Sequence, residues 1–375
     1  MKLLSLFTGI GAFEKALKNI GINYELIGFS EIDKYAIKSY CAIHNESEEK
    51  NLGDITKIDI TKLPKDIDII THGSPCQDFS LAGKQAGGDL GTGTRSSLMW
   101  NTISIVTYCK PKYVIWENVK NLLSKKHKHN FDSYLSIMES LGYNNYYKVL
   151  NAKDYGIPQN RERIYTISIR KDIDNNNFTF PKKEELKLRL KDMLENEVDE
   201  KYYLKDYQIE NIKKSNFMTN KRRIQEKEYC DTLCARDWKD PKCVRIGGIF
   251  DTEKAKHQAG SVYDKNGLSP TLDAMQGGWR QPCIEIKNTI VGAAQRGRDN
   301  GQQIEISNRE YSNAITTVQK DSLIYGNFKI RKLTPKECWR LMGFYDKDFE
   351  KASKVPTSNT QLYKQARKFN LCPSP

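Results

Sequence analysis

Apolar and polar positions alternate along the first 170 residues so as to predict strands and helices in turn. "KLLSLF", "YELIGFS", "IDIITHG" and "KYVIWEN" are short apolar runs bounded by polar or glycine positions, as buried strands are. Between them "GAFEKALKNIG", "DKYAIKSYCAIHN" and "SLMWNTISIVTYC" read as helices, the first ending at Gly21. "NFDSYLSIMESLG" is a further helix closed by Gly142, and "NNYYKVLNA" and "RIYTISIR" are later strands. This alternation predicts an α/β fold, a parallel sheet covered by helices on both faces.

The pattern then changes. "DIDNNNF" is a polar link, and "KKEELKLRLKDMLENEVDEKYYL" reads as a charged helical connector. Residues 225–325 are rich in glycine and short strands, with a weak repeat in "YCDTLCARDWKDPKCV", "GLSPTLDAMQGGWRQPCI" and "YSNAITTVQKDSLI". Each unit reads as a β-hairpin of a second, smaller domain. "RKLTPKECWRLMGF" is helical again, with Thr334 as N-cap and Pro335 in the first turn. It is expected to pack back on the first domain. The predicted division is therefore 1–184, 185–327 and a return segment 328–375.

Composition narrows the class. The chain of 375 residues is 38% hydrophobic and 29% charged, and no apolar run is long enough to span a bilayer. The start "MKLLSLFTGIGAFEKAL" reaches Glu14 and Lys15 too soon for a leader peptide, so a buried strand and a cytoplasmic protein are expected. A net charge of +13 favours a polyanionic partner such as nucleic acid. The nine cysteines are scattered, which suits a reduced protein better than a disulfide framework. Cys230, Cys234 and Cys243 lie close together but lack a fourth ligand at finger spacing, so no metal is expected.

Candidate chemistry gathers where strands end. In "FTGIGAFE", Phe7 and Thr8 lead into Gly9 and Gly11, which let the backbone turn tightly beside a ligand. The phosphate-loop Lys-Ser/Thr is absent, and Glu14 occupies the third glycine position of the dinucleotide pattern. Glu31 ends the second strand, 22 residues beyond Gly9, where an acid can accept ribose hydroxyls. Asp54 in "GDIT" could meet an adenine amino group. The set suggests an adenosine-containing cofactor without a pyrophosphate. The bland alternative is a pair of exposed acids at helix starts. Cys76 in "HGSPCQDFS" follows the third strand and could be a nucleophile, a metal ligand or a small buried hydrophobe. Glu117 ends the fourth strand, and Arg161 and Arg163 precede a later one, so all four converge on the carboxyl edge of the sheet.

At this point the sequence resembles the DNA cytosine-5 methyltransferases. The resemblance covers residues 3 to about 170 and 328–366, in the family's order of motifs: "FTGIGAFE", "SEID", "GSPCQDFS", "ENV", "QNRERIY" and "RKLTPKECWRLMGF". It implies a Rossmann-like S-adenosylmethionine-dependent methyltransferase domain with a smaller β-rich target-recognition domain. By resemblance Cys76 is the nucleophile that adds to carbon 6 of a flipped-out cytosine. Glu117 holds the exocyclic amine and N3, Arg163 the base carbonyl, and Arg161 orients Glu117 or a phosphate. Phe7, Thr8, Gly9, Gly11, Glu31, Ile32, Asp54, Ile55 and Pro75 would bind the cofactor.

Duplex DNA is the implied partner. Gln77, Ser80, Lys84, Gln85 and Arg95 would contact it from the glycine-rich stretch after Cys76, which is expected to act as a lid. Arg236 and Arg280 are the leading candidates in the recognition domain, beside Trp238, Lys239, Trp279, Arg296 and Arg298. A cognate restriction endonuclease is a possible companion, and a monomer is expected. The rival readings are a tRNA cytosine-5 methyltransferase and a catalytically impaired DNA-binding protein.

The end departs from the family's pattern. "TQLYKQA" is followed by "RKFNLCPSP", with Arg367 and Lys368 where the family has Gly-Asn-Ser and an apolar run. If Arg-Lys-Phe-Asn is written AGG AAA TTC AAT, reading one base further along restores Gly-Asn-Ser. A frameshifted or truncated motif is therefore expected, with weakened cofactor affinity; the gene sequence checks it.

Overall fold

A computed structural model describes residues 1–75, 98–203 and 328–368, together with short strands between 245 and 325. It divides into two compact units. The first holds 1–193, 268–276 and 335–375; the second holds 194–267 and 277–334.

The first unit is built on six strands: β1 (Lys2–Leu6), β2 (Glu25–Ser30), β3 (Ile69–His72), β4 (Tyr113–Val119), β5 (Tyr143–Asn151) and β6 (Glu162–Arg170), in the order β2-β1-β3-β4-β6-β5. Adjacent residues of the inner strands are buried on opposite faces, so Leu3–Leu6 of β1 and Ile69–His72 of β3 are buried without a break. Leu4, Ile70 and Val114 stand in register across β1, β3 and β4. They pack in one core with Ile103 and Val106 of α3 (Met99–Cys109) and Phe131 and Tyr134 of α4 (Lys128–Ser140). Leu3 and Ile69 face the other way, onto Phe29 and Tyr40. That face carries α1 (Ala12–Asn19) and α2 (Lys34–His44).

Two expectations are corrected. The sheet is mixed: β1 to β4 run parallel, whereas β6 pairs antiparallel with both β4 and β5. Residues 152–161 between β5 and β6 are too few for a crossover helix, so the chain turns back as a hairpin. The charged connector is not an α-helix; its first part carries only a short 3-10 turn at Leu190–Met193. Leu186, Leu188 and Leu190 recur every second residue, which gives a helix no apolar stripe. Arg189 instead donates to the Leu186 and Leu188 carbonyls.

Residues 335–375 of the expected return segment fall in the first unit, whereas 328–334 fall in the second. The part in the first unit forms α5 (Pro335–Arg340), α6 (Asp346–Lys354) and α7 (Asn359–Lys368). Trp339 is buried, donates from Nε1 to the Leu362 carbonyl at 3.0 Å, and meets Phe344 and Phe349 edge-on. Lys15 of α1 pairs with Asp348 of α6 at 2.8 Å, both almost wholly buried, and lies 4.3 Å over the Tyr345 ring. Removing one partner of such a pair leaves a buried charge and costs about 3–5 kcal/mol.

In the second unit, β7 (Arg245–Gly248), β8 (Ser261–Tyr263), β9 (Cys283–Lys287) and β13 (Phe328–Lys332) form a sheet in the order β13-β9-β8-β7. A second sheet, β11-β10-β12, holds the antiparallel pair β10 (Val291–Arg298) and β11 (Gly301–Ile306), with β12 (Leu323–Tyr325). Most of the three sequence repeats lies outside the described residues.

Candidate active site

The glycine turn follows β1 directly. Phe7 leaves the strand with φ +56°, a left-handed conformation unusual for an aromatic residue, and Gly9 and Gly11 continue at +59° and +80°. Gly11 is fixed twice over, because a Cβ there would lie 2.3 Å from His44 Nε2. His44 donates from that nitrogen to the Ile10 carbonyl at 2.9 Å. Burial, helped by Lys18, brings its pKa down to about 3, so the imidazole is neutral. Glu14 is buried behind the turn, its carboxyl pushed up by desolvation, and accepts from Tyr40 Oη at 3.0 Å. Thr8 is buried with an unpartnered Oγ1.

At the end of β2 the Glu31 carboxylate gathers backbone donors. Gly9 N–H reaches Oε2 at 2.9 Å, while Ile32 and Asp33 N–H reach Oε1 at 2.9 and 2.8 Å. The glycine turn and the β2 turn are thus held to one side chain. Asn51 accepts from the amides of Glu31 and Gly53, extending the network to the next loop. There Asp54 caps a short turn through the Thr56 amide and hydroxyl, bonds that hold its carboxyl below the usual range. Ile32 projects an apolar side chain that is 75% exposed, whereas Ile55 is buried in the core with α3. Glu31 and Asp54 offer acceptors and Ile32 an apolar surface along one sheet edge, a set that fits ribose hydroxyls and an adenine ring.

A second candidate set lies at the ends of β3 and β4. His72 is fully buried, near-parallel to Trp116 at 5.6 Å, and its pKa falls to about 3 through desolvation. Two residues on, Ser74 Oγ accepts from Trp116 Nε1 at 3.0 Å, with the Asn118 amide 3.5 Å from both Ser74 oxygens. Trp116 and Asn118 share one face of β4, so Glu117 between them faces the other way. There it meets Arg163, Nε to Oε1 at 3.1 Å, in a diagonal contact from β6, where Arg163 pairs with Val119. Glu117 is only 7% exposed, and burial raises its pKa against the opposing charges of Arg163 and Arg161. Arg161 is itself buried, its backbone held by Asn151 and Ala152.

Of the expected residues, the structure brings together Gly9 with Glu31, and Glu117 with Arg163 and Arg161. Pro75, half-buried, ends the described part of the strand-three loop. Cys76, Gln77, Ser80, Lys84, Gln85, Arg95, Arg236 and Arg280 lie outside the described residues, as do Cys230, Cys234 and Cys243. Sequence reasoning missed Ser74, Trp116 and Asn118, although strand alternation around Glu117 in "VIWENV" was a signal for the last two. It also missed Gln159, which is buried with neither amide atom partnered. Among the described residues no cluster could hold a metal, and no helix is long and apolar enough to cross a membrane.

The C-5 cytosine-specific DNA methylase family model matches residues 1–366. The chain belongs to that family. This cytosine-5 DNA methyltransferase is 37% identical to the orphan methyltransferase M.SPBetaI of Bacillus phage SPbeta, over 98% of the chain and 94% of the relative. It is 34% identical to the type II methyltransferase M.HhaI of Haemophilus parahaemolyticus, over 97% and 89%. Its fold is like that of the Dnmt2 methyltransferase of S. pombe, with a TM-score of 0.59 and 16% identity over 100% of this chain and 95% of that one. The family match makes this methyltransferase a DNA enzyme and disfavours the tRNA alternative.

Proposed function

We propose that this methyltransferase moves the methyl group of S-adenosylmethionine to carbon 5 of a cytosine flipped out of duplex DNA, through a covalent bond between Cys76 and carbon 6. The observation that carries this reading is the buried Glu117–Arg163 pair at 3.1 Å, on the strand whose neighbouring residues hold Ser74, two positions before Cys76.

Carbon 5 of cytosine is a weak nucleophile. Addition of the Cys76 thiolate at carbon 6 converts the ring to an enamine, whose carbon 5 can attack. Glu117 suits the assistance this needs. Burial favours its protonated form, so it can share a proton with N3 as charge builds, while Arg163 steadies its charged form and offers donors to the base carbonyl. When bound, S-adenosylmethionine supplies an electrophilic methyl on sulfur. Glu31 would hold its ribose, Ile32 and Asp54 its adenine, and the turn at Phe7, Thr8, Gly9 and Gly11 its amino-acid end. A solvent water then takes the carbon 5 proton, the C5–H electron pair re-forms the C5–C6 double bond, and the Cys76 thiolate leaves carbon 6.

Residues 185–327 are the proposed target-recognition domain, with Arg236 and Arg280 reading guanine. The relatives are named both orphan and type II methyltransferases, so a companion endonuclease acting on the same site stays one of two alternatives for this chain, and a monomeric state is proposed. Bisulfite sequencing of DNA from cells expressing the chain is expected to show one methylated cytosine context. Cys76→Ser is expected to erase it; retained methylation in that variant would sink the mechanism.

A further inference from the structure

The turn that presents Glu31 is gripped from the far end of the chain. Lys364 on α7 lies 2.6 Å from Asp33 Oδ2, and both side chains are largely buried. Asp33 follows Ile32 directly. Its other oxygen accepts the Tyr35 amide and caps α2, and its own amide donates to Glu31. Beside it, Gln365 is 2% exposed and divides its side-chain amide between two partners. Nε2 donates to the Tyr35 carbonyl and Oε1 accepts from Ser39 Oγ, each at 3.1 Å.

α7 therefore holds the first turns of α2 at three points. It is itself anchored through the Trp339–Leu362 bond, and α6 is anchored to α1 through Lys15–Asp348. Both walls of the proposed cofactor site lead to the return segment: the glycine turn through Lys15, the Glu31 turn through Asp33. Ile32 is mostly exposed, so the Glu31 turn draws little order from apolar burial of its own. A turn ordered beforehand loses less freedom when a ligand binds.

We propose that Lys364 and Gln365 are positioning residues for the methyl donor, setting the turn that offers Glu31 to the ribose hydroxyls. The inference rests on the cofactor reading given above. Two mild substitutions test it. Lys364→Met keeps the apolar stem, and Asp33→Asn keeps a residue type that caps helices well. Each is expected to weaken binding of S-adenosylhomocysteine by about five- to tenfold in calorimetric titration, the double variant no more than the worse single one. In the ligand-free protein, amide exchange at Ile32 and Asp33 is expected to quicken while that of β4 stays the same. The KM for S-adenosylmethionine should rise more than kcat falls. Variants that melt at lower temperature yet bind within twofold of the parent would overturn the inference, as would unchanged exchange at the turn. If the parent itself binds no S-adenosylhomocysteine, the cofactor reading falls and takes the inference with it.

Discussion

Glu31 follows β2 and Glu117 lies near the end of β4, two strands of one sheet, yet they are held in opposite ways. Glu31 is half-exposed, and its two oxygens accept three backbone amides. Glu117 is buried, and its neighbours are guanidiniums. Backbone amides fix an acceptor in place and cannot leave, which suits a group that only orients a ligand. Burial set against mobile side-chain charge leaves the proton itself adjustable, which suits a group that takes part in chemistry. Under the proposed function, one strand end grips the donor and the other controls a proton.

The contrast can be broken most decisively at Glu117. Glu117→Gln keeps the shape but removes the exchangeable proton, and single-turnover methylation is expected to slow by roughly 10²–10⁴ while cofactor affinity changes little. An unchanged rate would remove the distinction. Gly11→Ala attacks the gripping side through its scaffold. The left-handed backbone and the clash with His44 are expected to cost about 3 kcal/mol, read as a lower midpoint in urea. Acid treats the two sides alike, because each rests on a neutral imidazole: His44 under the glycine turn and His72 before Ser74. Both have a folded pKa of about 3 against an ordinary 6.5, so the unfolded chain binds more protons between those values. Stability is therefore complete above pH 6.5 and is lost as pH falls toward 3, by on the order of 3 kcal/mol per imidazole at pH 4.5. Urea titrations at pH 7 and 4.5, repeated with His72→Phe, check this. The smallest effect is at Glu31 itself. Glu31→Gln still accepts hydrogen bonds, so cofactor binding is expected to weaken about tenfold with kcat nearly kept. A kcat loss to match Glu117→Gln would erase the contrast from the other side.

Much of this was legible beforehand for a physical reason. The runs from "KLLSLF" to "KYVIWEN" are two-sided buried strands, and nothing but a sheet interior tolerates them. Glycine turns and acids at strand ends mark the ligand edge of such a sheet, so Gly9, Glu31 and Glu117 stood out. What failed was direction and distance. The side-chain pattern of β6 is the same whichever way the strand runs, and only the brevity of residues 152–161 carried the answer. Lys364 and Asp33 are 331 positions apart, and a single Lys or Asp on a polar helix looks the same whether it is solvated or paired. Leu186, Leu188 and Leu190 misled because charge and leucine together imitate a helix when their period is not counted.

The discontinuity of the first unit bears on how the enzyme comes into being. Its sheet is complete by Arg170, but α6 and α7 reach α2 only after residues 194–334 have been made. At about 5–20 residues per second, a ribosome needs on the order of ten seconds to cross that interval. During that time the nascent sheet has Glu117 and the glycine turn but neither Lys364 nor Asp348. The turns beside Gly9 and Glu31 are thus clamped only after the second unit has been synthesised, so in the proposed reading target recognition is made before the donor site is set.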